Sequence, residues 1–133
     1  MRVKIFYFLL ICCVFAGFNS CKDDTGANRN TIYGSWVRDI TDTQGLTFTA
    51  EITFNTNNTY DFKILTTAPG HSDGTGNFIN TAADSQLSIV NDAQCGVDGR
   101  YDYVIGESSI ALIAKTDDCP QRVTALQGVW KKK

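Results

Sequence analysis

The chain has 133 residues, of which 43% are hydrophobic and 11% aromatic, with five cysteines and only two prolines. This length and composition exclude collagenous, coiled-coil and wholly disordered chains, and they exclude two full-sized domains. Fourteen acidic against 12 basic side chains give a net charge of −2, and the basic residues cluster only at Lys131, Lys132 and Lys133. We therefore expect no nucleic-acid partner, because affinity for phosphate requires a clustered positive surface.

The chain begins with the pattern of a secretory signal. Arg2 and Lys4 precede an uninterrupted apolar run over residues 5–18, and the small polar Ser20 and then Cys21 follow. As a helix this run would reach roughly 21 Å, short of the roughly 30 Å hydrocarbon core that a permanent membrane span must cross. The pattern predicts a signal peptide rather than a transmembrane helix.

Residues 18–21 resemble a bacterial lipobox, in which a small residue precedes a cysteine that is linked to diacylglycerol and becomes the new N-terminus. Phe18 and Asn19 depart from the usual pattern, as in the looser version of Bacteroidota. Residues 22–24 resemble the short acidic tag that sends lipoproteins of that phylum to the cell surface. The resemblance implies lipidation of Cys21 and stable anchoring in the outer membrane by several acyl chains.

These motifs divide the chain into a signal peptide over residues 1–20, a flexible tether over 21–30 and a folded domain over 31–133. The tether is polar and contains no large apolar side chain, so it cannot bury a core face. We expect a location at the cell surface. The alternatives are the periplasmic leaflet, or secretion after cleavage near Ser20.

From Thr31 onward the sequence alternates with a period of two, which predicts antiparallel strands. Phe48, Ala50, Ile52 and Phe54 share one face, and threonines and a glutamate occupy the other. The predicted strands cover residues 46–54, 59–65, 74–80, 86–90, 100–105, 109–115 and 129–131, with a first strand starting near residue 34. Short strands separated by turn signals favour an all-β sandwich or a closed barrel.

One short helix is predicted near the C-terminus. Asp118 would be its N-cap, Pro120 suits its first turn and Gly128 supplies the stop. Asp117 and Asp118 fit the positive N-terminal end of such a helix better than they fit an acid–base pair.

The position of each of the five cysteines predicts its fate. Cys12 and Cys13 leave with the signal peptide and Cys21 receives lipid, so Cys95 and Cys119 remain. We predict one disulfide between them, because an exported protein folds in an oxidising compartment. A zinc site or a nucleophilic thiol is the alternative, and the chain offers it few further ligands and no nearby base.

Four short motifs, taken in order, resemble the lipocalin-like family of β-barrels. They are a G-x-W at residues 34–36, a G-x-Y strand at 99–103, a D-C-x-x-R corner at 118–122 and a terminal tryptophan at 128–130. The resemblance covers nearly all of residues 31–133. It implies a small antiparallel up-and-down barrel of about eight strands, with one short helix near the C-terminus.

The same resemblance implies how the base of the barrel is packed. In the family a tryptophan from the first strand plugs the base, and an arginine from near the chain end packs over it. These roles transfer to Trp36 and Arg122, with Trp130 as the terminal tryptophan. A barrel of this size is filled by side chains or holds one small ligand, and we favour a filled or shallow interior.

No catalytic constellation is visible. His71 is the single histidine, and we interpret it as a solvated loop residue. Residues 73–77 lack the spacing of a calcium loop. We predict no enzyme activity, no metal and no cofactor.

The first functional hypothesis is therefore binding of a small apolar ligand or glycan at the barrel mouth, lined by some of Phe48, Phe62, Tyr101 and Tyr103. The second is a protein-facing envelope module with a filled barrel, acting as an inhibitor or accessory subunit.

Overall fold

The computed structural model describes residues 31–133; the predicted signal peptide, the lipidation of Cys21 and the tether lie outside the described residues. The described part contains eight strands, a 3-10 helix at Ala82–Asp84 and one α-helix. The strands are β1 (Gly34–Thr41), β2 (Thr47–Phe54), β3 (Thr59–Ile64), β4 (Gly74–Thr81), β5 (Gln86–Val90), β6 (Gly99–Ile105), β7 (Ser109–Thr116) and β8 (Gly128–Lys132), and the helix is α1 (Pro120–Leu126).

The strands form a closed barrel in which each pairs antiparallel with its neighbours in sequence. The first and last strands close it, with Trp36 opposite Lys132 and Val37 opposite Lys131. The predicted all-β, up-and-down architecture with a single short C-terminal helix is therefore confirmed. No helix among residues 31–133 is both long enough and apolar enough to cross a membrane.

Alternation along the strands produces the core. In β2, Ala50 and Ile52 are fully buried and Phe54 is 1% exposed, as the sequence pattern predicts. The polar side chains between them face outward, where Thr53 exchanges a hydrogen bond with Ser35 of β1 at 2.7 Å. Period-two alternation thus decides which side of each strand is buried.

The up-and-down topology sorts the connections into two ends. The mouth comprises the four connections at residues 42–46, 65–73, 91–98 and 117–127, the last of which contains α1. The closed end comprises the connections at 55–58, 82–85 and 106–108 together with residues 31–33. Consecutive antiparallel strands place alternate loops at opposite ends, so these two groups are separated by the length of the barrel.

Aromatic and aliphatic side chains fill the closed end. The Trp36 indole is 1% exposed, and its Nε1 donates to the carbonyl of Ile32 at 2.8 Å. Phe54 and Phe78 meet edge to face, with ring centroids 5.2 Å apart. This placement agrees with the role of Trp36 as a plug at the barrel base.

The start of α1 differs from the prediction. Cys119, not Asp118, is the N-cap residue, and no side chain caps the helix. The carboxylate of Asp117 accepts the backbone N–H of Cys119 at 2.9 Å, while Asp118 is exposed. Asp117 is recruited to a buried ion cluster, and the turn it forms moves the first helical residue to Pro120.

Candidate ligand site at the barrel mouth

A cavity of about 840 Å³ opens to solvent at the mouth. Its apolar wall comes from the inward positions of β1, β2 and β3 and from α1. The apolar lining residues from these elements are Ile40, Phe48, Tyr60, Phe62, Ile64, Pro120, Ala125 and Leu126. The interior is therefore filled at the closed end and hollow towards the mouth, where the cavity is larger than the filled or shallow interior that the sequence favoured.

Strand β3 supplies the aromatic part of this wall. Tyr60, Phe62 and Ile64 occupy alternate positions, so all three point inward. Tyr60 lies against Gly76 of β4, where an added Cβ would come within 2.6 Å of the tyrosine ring. Glycine at this position therefore leaves the space that the ring occupies. Phe62 and Ile64 are only half-buried because their inner sides face the cavity.

Two of the four predicted lining residues line the cavity and two do not. Phe48 and Phe62 contribute to its wall. Tyr101 is fully buried and its hydroxyl donates to Asp117. Tyr103 is 7% exposed and donates to Asn80 at 2.9 Å. Both tyrosines come from β6, which lies away from the β1–β4 side where the cavity opens, and both are used in packing and hydrogen bonding.

At one side of the mouth, His71 packs against residues of the first connection. Its Nε2 lies 2.9 Å from Oδ2 of Asp42, and its ring stacks at 4.6 Å from the Phe48 ring. The hydrogen bond from His71 is the main cause that lowers the pKa of Asp42, with the N–H of Leu46 contributing next. His71 is a partly exposed loop residue, as expected, but it also forms part of the cavity wall.

At the other side of the mouth, a buried ion cluster surrounds Arg122. Its Nε and Nη2 donate to both oxygens of Asp117 at 2.8 and 2.7 Å, and its Nη1 donates to Asp92 at 3.0 Å. Nη2 also donates to the carbonyl of Val97 at 2.9 Å. The Arg122 side chain is 4% exposed and that of Asp117 is 0% exposed. Bidentate, desolvated pairing of this kind holds a guanidinium in one geometry.

The cluster shifts the pKa values of its members. Burial alone would raise the pKa of Asp117, but the hydrogen bonds from Arg122 and Tyr101 outweigh it and hold that pKa below its ordinary value. Burial and the neighbouring carboxylate raise the pKa of the Tyr101 hydroxyl. At Gly99 an added Cβ would come within 2.3 Å of the Asp117 carboxylate, so the cluster requires glycine there.

The two tryptophan rings contact cations other than the Arg122 that the family resemblance implied. The Arg38 guanidinium lies 5.1 Å from the centroid of the Trp130 ring, and Lys132 lies 5.7 Å from that of Trp36. Arg122 is instead bound by carboxylates, so its expected packing over Trp36 is corrected. Trp130 is fully buried, but its Nε1 donates to the carbonyl of Leu126 in α1 at 2.9 Å, so it packs beneath the helix rather than at the base that the resemblance implied.

Arg38 points into the barrel and caps the C-terminal end of α1. It donates to the carbonyl of Thr124 at 3.0 Å and to the carbonyl of Gln127. A cation is favourable there because the carbonyls of the last helical turn lack intrahelical partners. The sequence reasoning missed Arg38, although it stands between Trp36 and Ile40 in the inward register of β1.

A disulfide joins Cys95 and Cys119, with Cα atoms 5.7 Å apart, which confirms the predicted pairing. It connects the 91–98 loop to the residue before α1. Cys95 and Pro120 both line the cavity. The disulfide and the Arg122 cluster therefore fix α1 over the same side of the mouth.

The arrangement is suited to holding a molecule. In residues 31–133 no group of three or more His, Cys, Asp and Glu side chains is placed to hold a metal ion. The charged side chains of the wall are hydrogen-bonded in pairs or clusters, as described for Asp42 and Arg122. What the cavity offers a ligand is an apolar and aromatic wall with a polar rim.

Comparison with known proteins supports the fold. No protein-family model matches the chain, and no curated protein matches it significantly. A crystal structure of a protein from Shewanella oneidensis, described as a "putative lipoprotein", is similar to it with a TM-score of 0.50. The two are 16% identical over 83% of this chain and 96% of that chain. At this identity the likeness is one of fold.

Proposed function

We propose that this protein is a lipid-anchored outer-membrane lipoprotein, exposed at the cell surface, whose lipocalin-like barrel binds a small apolar ligand or glycan at its mouth. The observation that carries the proposal is the open cavity of about 840 Å³ with an aromatic wall. Its volume lies within the range of small-molecule sites, roughly 300 to 1,000 Å³. Binding rather than catalysis is proposed because the charged side chains of the wall are hydrogen-bonded to one another.

The lipid anchor is supported by the lipobox-like residues that end at Cys21, and a protein of similar fold is itself described as a lipoprotein. Intact mass of protein extracted from membranes tests it. We expect a chain that begins at Cys21 and carries added acyl mass, and a Cys21→Ala variant that remains unprocessed. A mature chain without acyl mass would contradict the anchor and leave the cavity proposal standing.

Ligand binding is tested by titration with N-phenyl-1-naphthylamine, an uncharged probe that fluoresces in apolar sites. Ile64 faces the cavity, so an Ile64→Trp substitution places bulk inside it and should abolish probe binding. Leu65 is the next residue and is 48% exposed, which makes Leu65→Trp a matched control that should bind normally. Equal binding by both variants would place the probe elsewhere and contradict the proposal.

A second candidate function is favoured by one observation on the outer surface. Val104 and Val129 are 62% and 61% exposed, and both pair with Ala111 across β6, β7 and β8. This apolar strip is suited to a protein partner, as in an accessory subunit or inhibitor. Native mass spectrometry of protein taken from its own envelope distinguishes the two functions, by retention of a small molecule or of a second polypeptide.

A further inference from the structure

The mouth carries most of the negative charge of the domain. Its four connections contain six aspartates, one arginine and one histidine. The six aspartates are Asp42, Asp73, Asp92, Asp98, Asp117 and Asp118. With neutral histidine the mouth has a formal charge of −5, whereas residues 21–133 together carry −4. The lysines at 131–133 lie on β8 and just after it, away from the four mouth connections.

The one arginine of the mouth is not available to an anion. Arg122 uses four of its five N–H groups, three of them towards Asp92 and Asp117. Two carboxylates around one guanidinium leave this cluster with a formal charge of −1. An anionic ligand entering from the mouth would meet that excess and would find the guanidinium already occupied.

Two carboxylates stand on the wall of the cavity itself. Asp42 and Asp92 are both lining residues, on opposite sides of the mouth. Asp92 accepts one hydrogen bond at each oxygen, from Gln94 at 2.9 Å and from Arg122 at 3.0 Å. Each carboxylate oxygen can accept two, so Asp92 retains acceptor capacity for a donor on the ligand.

We propose that the cavity selects amphiphiles with an apolar body and a cationic amine head, and discriminates against anionic amphiphiles of the same length. This inference rests on the proposed function and specifies its ligand class. The apolar body packs against Phe48, Phe62 and Ile64. The ammonium group stays at the rim, where it donates to Asp92 or Asp42.

The physical basis is the field of the mouth. A cleft lined by charge of one sign concentrates ligands of the opposite sign and repels those of the same sign. A carboxylate brought to this rim would also lose hydration, and the one arginine among the lining residues, Arg122, is already paired, which makes the loss costly in a partly desolvated site. The preference for cationic over anionic ligands should weaken as salt screens the exposed carboxylates.

The test is displacement of N-phenyl-1-naphthylamine at pH 7 by three 12-carbon compounds: dodecylamine and dodecanoate below their micelle concentrations, and dodecanol below its solubility limit. We expect dodecylamine to displace the probe at a concentration at least about fivefold lower than that of dodecanoate. A fivefold difference is about what one close charge pair near water contributes to affinity. The displacing concentration of dodecanol should lie between those of the other two, and 0.5 M salt should reduce the differences among the three concentrations.

Variants locate the effect. Asp42→Asn and Asp92→Asn should each bring the displacing concentrations of dodecylamine and dodecanoate closer together. Asp61→Asn lies outside the mouth and should leave both concentrations unchanged. Asp42→Asn leaves the Arg122 cluster intact, so it tests the inference even if Asp92→Asn unfolds. Equal displacement by all three compounds, or preference for dodecanoate, overturns the charge inference while ligand binding stands. Failure of the wild-type protein to bind the probe contradicts the proposed function itself.

Discussion

Two arginines show how position decides the role of a side chain in this barrel. Arg38 enters the interior from β1, contacts the Trp130 ring and caps α1, whereas Arg122 leaves α1 and is held by Asp92 and Asp117. Burial lowers the pKa of Arg38, while the hydrogen bonds that Arg122 donates to Asp117 raise the pKa of Arg122. Both remain cations, but only Arg122 has a carboxylate partner among its hydrogen bonds.

Replacing Arg38 by methionine should destabilise the domain. The substitution keeps an apolar stem but removes the charged donor from the carbonyls of Thr124 and Gln127, and the loss of such hydrogen bonds costs about 1 to 3 kcal/mol. The free energy of unfolding in urea measures it. Arg100→Met is the control, because Arg100 is exposed, and it should change stability by less than about 0.5 kcal/mol. Equal losses in both variants would mean that the interior position of Arg38 is unimportant.

Asp117 should make stability depend on pH in the acid range. Its pKa is lower in the folded protein than its ordinary value of 3.8, so its contribution is fully present above about pH 4 and is lost as the pH falls through the folded pKa. At pH 7, Asp117→Asn removes one partner of a buried ion pair and should cost about 3 to 5 kcal/mol. Urea denaturation between pH 2 and 7 measures both effects.

The neighbouring Asp118 provides the control for that experiment. It is exposed and adjacent in sequence, so Asp118→Asn should follow the wild-type dependence of stability on pH. The Asp117→Asn variant should lose less stability than the wild type between pH 5 and 2. Parallel pH profiles for Asp117→Asn and the wild type would show that Asp117 is not the titrating group.

At the scale of elements, α1 depends on covalent and ionic attachments more than on its own propensity. It has seven residues and no side-chain N-cap, and short isolated helices are unstable in water. The Cys95–Cys119 disulfide attaches its first turn, Arg122 attaches its middle and Arg38 attaches its end. Because α1 contributes part of the cavity wall, these attachments also preserve the shape of the site.

Removing the disulfide should therefore affect both stability and binding. The cysteines are 24 residues apart, and closing such a loop stabilises a protein by about 3 to 4 kcal/mol in the chain-entropy model. We expect Cys95→Ala/Cys119→Ala to lose about that much in urea denaturation and to bind the naphthylamine probe more weakly. Reduction of the wild type with dithiothreitol should reproduce the effect, and unchanged stability under both treatments would contradict it.

The elements differ in how far the sequence could predict them. Strand positions followed from alternation, because burial on one face is a local, repeating constraint, as in residues 48–54. The α1 cap and the partners of Arg122 could not be predicted from a local pattern. Asp117 could serve either a helix terminus or a distant arginine, and Asp92 comes within reach of Arg122 only when the barrel is closed. Tyr101 and Tyr103 faced inward as expected, but which part of the interior stays open depends on how all eight strands pack together.

At the scale of the whole molecule, the cavity and the first described residues lie at opposite ends of the barrel. The folded part begins at the closed end, and the mouth connections carry the cavity and the negative charge. A lipid on the proposed anchor Cys21 would therefore be joined by the tether to the closed end of the barrel, so the chain between lipid and barrel does not have to pass across the mouth.

The barrel is closed by the pairing of β1 with β8. Without β8, strands β1 and β7 would become open edges and the buried Trp130 would be lost from the core. Unpaired edges promote association between chains. A chain truncated after Gln127 should therefore fail to form a monomer with a cooperative thermal transition, as judged by size-exclusion chromatography and circular dichroism.

Removing Lys133 alone is the control and should shift Tm by only a few degrees. Its ion pair with Glu51 involves an exposed lysine, and such a pair contributes at most about 1 kcal/mol. A monomeric, cooperatively melting truncation would contradict this prediction, because it would mean that seven strands suffice to bury the core.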